Sequence, residues 1–161
     1  MKRKGRIVIV GAALAAAALL AAGPAVSEDK PADNMQILKE KMTADRKLFV
    51  AEVMGLTESE AKAFWPVYDA YQKAMDKLAD RSLKLIQDYA RDYETMSDQT
   101  AKKLLDDYMG IENDRQKLRQ SYLPKFRKAL PDKKVTRYYQ LENKISALVT
   151  YEVARLIPLV E

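Results

Sequence analysis

Groups able to do chemistry are few in this 161-residue sequence, which holds neither histidine nor cysteine. Their absence removes imidazole general bases, thiolate nucleophiles and the nitrogen and sulfur ligands of most zinc sites. Carboxylates remain. Asp106 with Asp107, and Glu112 with Asp114, can each be drawn as an acid/base pair. Residues one or two apart on a helix diverge, however, and all four lie among charges that a helix would turn to solvent. Acid/base catalysis needs two environments that drive a pair of pKa values apart. A site for a hard cation needs converging oxygens, as in the DxDxDG loop, and that loop is missing from the sequence. The residues point to a protein that is not an enzyme and that uses no cofactor and no metal.

A binding chemistry is easier to find. Between Arg115 and Arg137 stand nine basic residues (Arg115, Lys117, Arg119, Lys125, Arg127, Lys128, Lys133, Lys134 and Arg137) against Asp132 alone, a local charge of +8. Tyr122 and Phe126 lie among them. Arg115, Lys117, Arg119, Tyr122, Lys125, Phe126, Arg127 and Lys128 are therefore candidates for an amphiphilic surface that attracts acidic protein segments or an anionic membrane surface. The alternative is that the cations are ordinary solvated helix positions and the two rings belong to the core.

The whole chain carries 28 basic and 23 acidic side chains. Four of the basic residues, Lys2, Arg3, Lys4 and Arg6, fall in the first 25 positions, which contain no acid. They precede an uncharged apolar run, Ile7 to Ala22, and then small residues, the order of a secretory signal peptide. Cleavage fits after Ala25 or after Ser27. A membrane anchor is the other reading of this run, but it is short and Ala-rich for a span and no basic stop-transfer cluster follows. Without residues 1–25 the balance is 24 basic against 23 acidic, or +1, so nucleic acid is not an expected partner. Residues 26–32 read as a disordered linker, and 33–161 as a single helical domain. An exported domain without cysteine has no disulfides, and its stability must come from packing or oligomerisation.

The elements that would position these side chains are all helical. The longest stretch, Leu56 to Tyr93, opens with Thr57 and Glu60 in the spacing of a capping box, and Leu56 stands where a hydrophobic staple begins. Phe64, Trp65, Tyr68, Tyr71, Met75 and Leu78 then recur at helical spacing, with Leu85, Ile86, Tyr89 and Tyr93 behind them. An unbroken helix here would run roughly 55 Å. Pro66 predicts a kink, or a break into two helices. Before it, a helix capped by Asp33 or Asn34 would carry Met35, Leu38, Met42, Phe49 and Val53, and stop at Gly55. After it, Ser97 caps a third helix from Asp98 to about Ala129, striped by Leu104, Leu105, Tyr108, Ile111, Leu118, Tyr122 and Phe126, with Pro124 as a second kink or break. Leu130 and Pro131 restart the chain for a fourth helix carrying Val135, Tyr138, Tyr139, Leu141, Ile145, Leu148 and Leu156, ended by Pro158. No stretch alternates as a strand would. The expected fold is all-α: four long amphipathic helices in bent, elongated hairpins, with no β-strands.

The two helix starts repeat across 74 positions: Leu56, Thr57, Ala61, Phe64 and Trp65 face Leu130, Pro131, Val135, Tyr138 and Tyr139. Either an old duplication or the general likeness of amphipathic helices accounts for it. A leader, about four helices, no cysteine, and Leu56-Thr57-x-x-Glu60 with a later Leu130-Pro131 together resemble the Spy/CpxP-like periplasmic stress proteins, whose LTxxQ motif occurs twice. Glu60 stands for Gln in the first motif. In the second Leu130 is kept, Pro131 replaces Thr and Lys134 takes the Gln position. The resemblance implies a cradle-shaped homodimer in the periplasm and ATP-independent holding of unfolded envelope proteins, or adaptor binding to a sensor-kinase domain. It also implies that Leu56, Thr57, Glu60, Leu130 and Pro131 fix helix starts and do not touch clients. A structural or regulatory envelope module with one defined partner is the alternative. Zinc-binding relatives exist, but their ligands are missing from this chain.

Overall fold

The computed structural model describes residues 35–160, with side chains described from Asp45 onward. The expected signal peptide, the 26–32 linker, the caps Asp33 and Asn34, and the side chains of Met35, Leu38 and Met42 lie outside what is described. Four helices make up the fold: α1 (Met35–Met54), α2 (Glu58–Asp92), α3 (Asp98–Ala129) and α4 (Asp132–Ala154), with a single 3-10 turn at Tyr93–Thr95. No strand occurs among the described residues, and no helix there is long and apolar enough to cross a membrane.

Helix α2, 35 residues and about 52 Å, begins as its sequence dictates. Thr57 Oγ1 accepts the Glu60 N–H at 3.3 Å, and the Glu60 carboxylate accepts the Thr57 N–H at 2.8 Å. Two orphan backbone donors are thereby satisfied. The helix runs through Pro66 without a break, as α3 runs through Pro124. Both prolines are exposed, so the carbonyl that each leaves unbonded, at Lys62 and at Gln120, faces water. Ser97 caps α3, accepting the Thr100 N–H at 3.2 Å.

Helix α1 departs from expectation. It is not continuous: Asp45 is extended (φ −163°, ψ 105°), and its carboxylate accepts the Leu48 N–H at 3.0 Å, capping a fresh helical segment that ends at Met54. Gly55 then takes a left-handed φ of 51°, which suits glycine at a helix C-terminus. This turn is a corner, because α1 lies chiefly against α4. The hairpin of the fold is α2 with α3.

The core sits at the end where α2 and α4 begin. Phe49, Val50 and Met54 of α1 meet Phe64, Tyr68 and Tyr71 of α2, Phe126 and Leu130 from α3 and its cap, and Val135, Tyr138, Leu141 and Ile145 of α4. The two helix starts meet in a specific way. Lys134 reaches the Glu60 carboxylate and donates to the Gly55 carbonyl at 3.1 Å, and the rings of Phe64 and Tyr138 stand 5.2 Å apart, edge to face. In both contacts residue i touches residue i+74. Two pairs of equivalent positions, Glu60 with Lys134 and Phe64 with Tyr138, thus meet each other, the pattern found beside a local two-fold axis. Leu56 packs at the edge of the core and Leu130 inside it. Pro131 occupies the N-cap position of α4, with no side-chain cap.

At its far end α4 stops at Ala154, earlier than its sequence stripe suggested, and Leu156 lies beyond the helix and exposed. Pro158 stands three residues past the C-cap, where it cannot donate to the Ala154 carbonyl four residues back and so bars the helix from continuing.

The hydrogen bond from Lys134, then that from Thr57, holds the Glu60 carboxyl below the ordinary range. A carboxyl lowered by folding stabilises the fold above its unfolded pKa, about 4.3, and that contribution disappears as the pH falls through its lowered native value. Urea denaturation of Glu60→Gln, which keeps an acceptor for the cap, should show a shallower loss of stability below pH 4.5 than the parent chain. Identical acid limbs would contradict the assignment. Thr57→Ala should cost about 1 kcal/mol at neutral pH.

Candidate functional site

Ring-bearing side chains are most densely packed between the helices at one end of the molecule. Phe126 stands 4.7 Å from Tyr138 and 5.7 Å from both Phe64 and Tyr71, centroid to centroid. These rings act as spacers: nowhere does a Cα of α4 come within 8 Å of one in α2. Further along, the facing positions include small residues, Ala79 and Ser82 on α2, Ala101 on α3, and Ser146, Thr150 and Ala154 on α4. Helices held at ring spacing and lined by such side chains cannot close. The result is an open groove of about 660 Å³ between α2, α3 and α4.

Its walls are mainly apolar: Met75, Leu85, Ile86 and Tyr89 from α2, Leu104, Leu105 and Tyr108 from α3, and Ile145, Val149 and Val153 from α4. Several are unusually open for their size, Leu105 at 59% exposure and Tyr108 at 51%. The sequence stripe of α3 placed both in a covered face. In the structure only Ile111 and Phe126 of that helix are buried, since nothing long enough covers the rest.

A polar cluster closes the inner end. Glu142 is only 6% exposed, and its carboxylate accepts from Arg46 Nη2 at 2.8 Å and from Gln72 Nε2 at 3.3 Å. Gln72 also donates to the Tyr138 hydroxyl at 3.3 Å. Burial alone would lower the Arg46 pKa, but the charge and hydrogen bond of Glu142, with Tyr68 and Tyr138 beside them, raise it overall. Burial pushes Tyr138 and Tyr71 upward and Tyr68 to about 12, so the phenols stay neutral at any physiological pH. Nothing in the sequence reading singled out this cluster. Its one signal is Glu142, a lone acid in the apolar row Tyr138, Leu141, Ile145.

The basic residues proposed from sequence do not form one face. Arg115 lines the groove and pairs with Glu112 at 3.3 Å. Arg119 turns toward α4, bonds the Asn143 side chain, and stands 5.8 Å over the Tyr139 ring. Arg127 pairs with Asp132 at 3.0 Å, also on the α4 side. Lys117, Lys125 and Lys128 are exposed, and Lys125 covers the ring of Tyr122 at 4.0 Å. Tyr122 is half-buried and donates its hydroxyl to the Ala70 carbonyl at 3.2 Å. Phe126 must be withdrawn from the candidate surface: at 0% exposure it is a spacer of the core and can touch no partner.

The carboxylates considered for catalysis are tied up singly in ion pairs, Asp106 with Lys102, Asp107 with Lys103, and Asp114 with Arg81. Among the described residues no three acidic side chains converge as a metal site would require. Compared with protein-family models, with curated proteins and with solved structures, the chain matches none.

Arg46→Ala leaves Glu142 buried with a single weak donor and should cost about 2 kcal/mol, less than a fully buried pair because the Arg46 side chain is 38% exposed. Arg46→Ala with Glu142→Ala should cost less than the two single changes summed. Additive costs in urea denaturation would mean that the pair contributes no coupling.

Proposed function

We propose that the protein is a periplasmic, ATP-independent chaperone or stress adaptor, which binds unfolded or partner proteins by taking their apolar segments into the groove. The observation that carries this reading is the groove itself, a continuous apolar channel left open by helix spacing. Its side chains would be covered if burial were their only use. Monomeric domains rarely leave large contiguous apolar surface exposed unless a partner covers it. Methionine and tyrosine in the walls, Met75, Met96, Tyr89 and Tyr108, suit partners of varied shape, because a thioether adapts and a phenol offers both an apolar face and a hydrogen bond. Charges at the rim, Asp76, Glu112 and Arg115, are of both signs and leave the channel floor apolar. The likeness of the helix starts to the LTxxQ stress proteins points the same way. The exposed cations Lys117, Lys125 and Lys128 would serve to steer acidic clients, a role that salt weakens.

Filling the channel tests the reading without unfolding the protein. Ser146→Leu puts an apolar side chain into existing space and should leave stability level or higher. It should also reduce, severalfold, the ability of the chain to keep an unrelated unfolded client from scattering light at equimolar amounts. Charge reversal at Lys117 and Lys125 should reduce the salt dependence of holding and leave its extent at high salt unchanged. Full holding activity in Ser146→Leu would reject the groove as the binding surface. An absence of holding by the parent chain against several clients would reject the chaperone function.

A further inference from the structure

Beyond the cap of α4 at Arg155 the chain ceases to be helical and crosses the outer end of the groove. Ile157 and Val160 enter the lining. Two tyrosines, Tyr89 of α2 and Tyr93 at its C-cap, hold this segment by its backbone: Tyr89 donates to the Pro158 carbonyl at 2.7 Å, and Tyr93 donates to the Leu159 carbonyl at 3.1 Å. Four residues apart, they present their rings side by side, 5.6 Å between centroids. The pair therefore binds two consecutive carbonyls of a non-helical segment. Pro158 keeps the segment out of the helix, since it fixes its own φ and disfavours helical geometry at Ile157. Phenol-to-carbonyl bonds read backbone and not side chains, so they ask nothing of the sequence beyond a non-helical apolar run.

The tail is poorly buried for a segment held in place. Leu156 is 71% exposed and Leu159 88%. We infer that the outer groove, with Tyr89 and Tyr93, is a docking site for non-helical apolar segments of other proteins, and that residues 156–160 occupy it as an internal competitor. The inference deepens the proposed function and rests on it. The tethered tail, present at high effective concentration, lowers the apparent affinity for an outside segment by the fraction of time that it holds the site. An incoming chain with longer apolar reach displaces it and extends inward toward Met75 and Ile145.

The test uses a fluorescent peptide of residues 156–161 (LIPLVE) and two forms of the protein, intact and ended after Arg155, which leaves α4 whole. By anisotropy the shortened chain should bind the peptide at least tenfold more tightly than the intact one. Within the shortened chain Tyr89→Phe and Tyr93→Phe should each weaken binding about fivefold. Equal affinities for the two forms, or indifference to both tyrosines, would overturn the inference. A second measurement needs no truncation: excess unlabelled peptide should speed amide exchange at Ile157, Leu159 and Val160 of the intact chain, and an unchanged rate would also overturn it. If the shortened chain binds the peptide but neither form holds an unfolded client, the docking site stands and the chaperone function falls. If both forms hold client equally and the peptide distinguishes nothing, the function stands and the internal competitor falls.

Discussion

Ring size, concentrated at one end of three helices, sets the separation on which everything else in this structure depends. Phe64, Phe126 and Tyr138 meet at centroid distances of 4.7 to 5.7 Å. Edge-to-face and tilted pairs of this kind add about 0.5–1.5 kcal/mol each beyond the area they bury. Because helices are stiff, the spacing imposed at that end persists for several turns, past the point where the side chains are large enough to fill it. Ala79, Ser82, Ser146 and Thr150 then leave the channel open. Small residues set among larger apolar ones thus leave a groove beyond the packed core.

The helix starts fix where that wedge sits. Thr57 and Glu60 cap α2, and Glu60 then reaches Lys134 in the first turn of α4. Glu at one start and Lys at the other make an ion pair of two equivalent positions. Four residues on, Phe64 and Tyr138 repeat the relation as a ring contact. Polar lock and aromatic wedge are thus successive turns of the same two helices, and the register of one sets that of the other. The Arg46–Glu142–Gln72 cluster marks where the wedge gives way to the groove, a buried charge tolerated because two donors reach it.

Much of this was legible in the residues. The caps at Thr57 and Ser97, the glycine stop at Gly55 and the four-helix all-α class follow from local chemistry that tertiary contacts did not override. Other features depend on partners far away in the chain. The break at Asp45 looks like one more polar residue in an amphipathic run until its carboxylate is seen on the Leu48 N–H. Periodicity marked Leu105 and Tyr108 as core, and the basic run around Phe126 marked that ring as a possible surface residue. The structure reverses both, because a stripe shows which side of a helix is apolar but not whether another helix lies over it. Nor can composition reveal a groove, which is defined by the distance between helices and not by any residue in them. The charge run from Arg115 to Arg137 was read as one patch. Helical geometry spreads it around α3, and Asp132, Glu60 and Glu112 draw several of its members aside.

Amide hydrogen exchange in the presence of an unfolded client bears most directly on the claim that the groove is the working surface. Protection should appear where the channel is lined, in 82–92 of α2, 101–112 of α3 and 146–157 of α4 and the segment after it. The outward turns of α3 around Lys117 and Lys125 should exchange as they do in the free protein. Protection confined to those basic turns, or no change along the channel with client bound, would contradict the account.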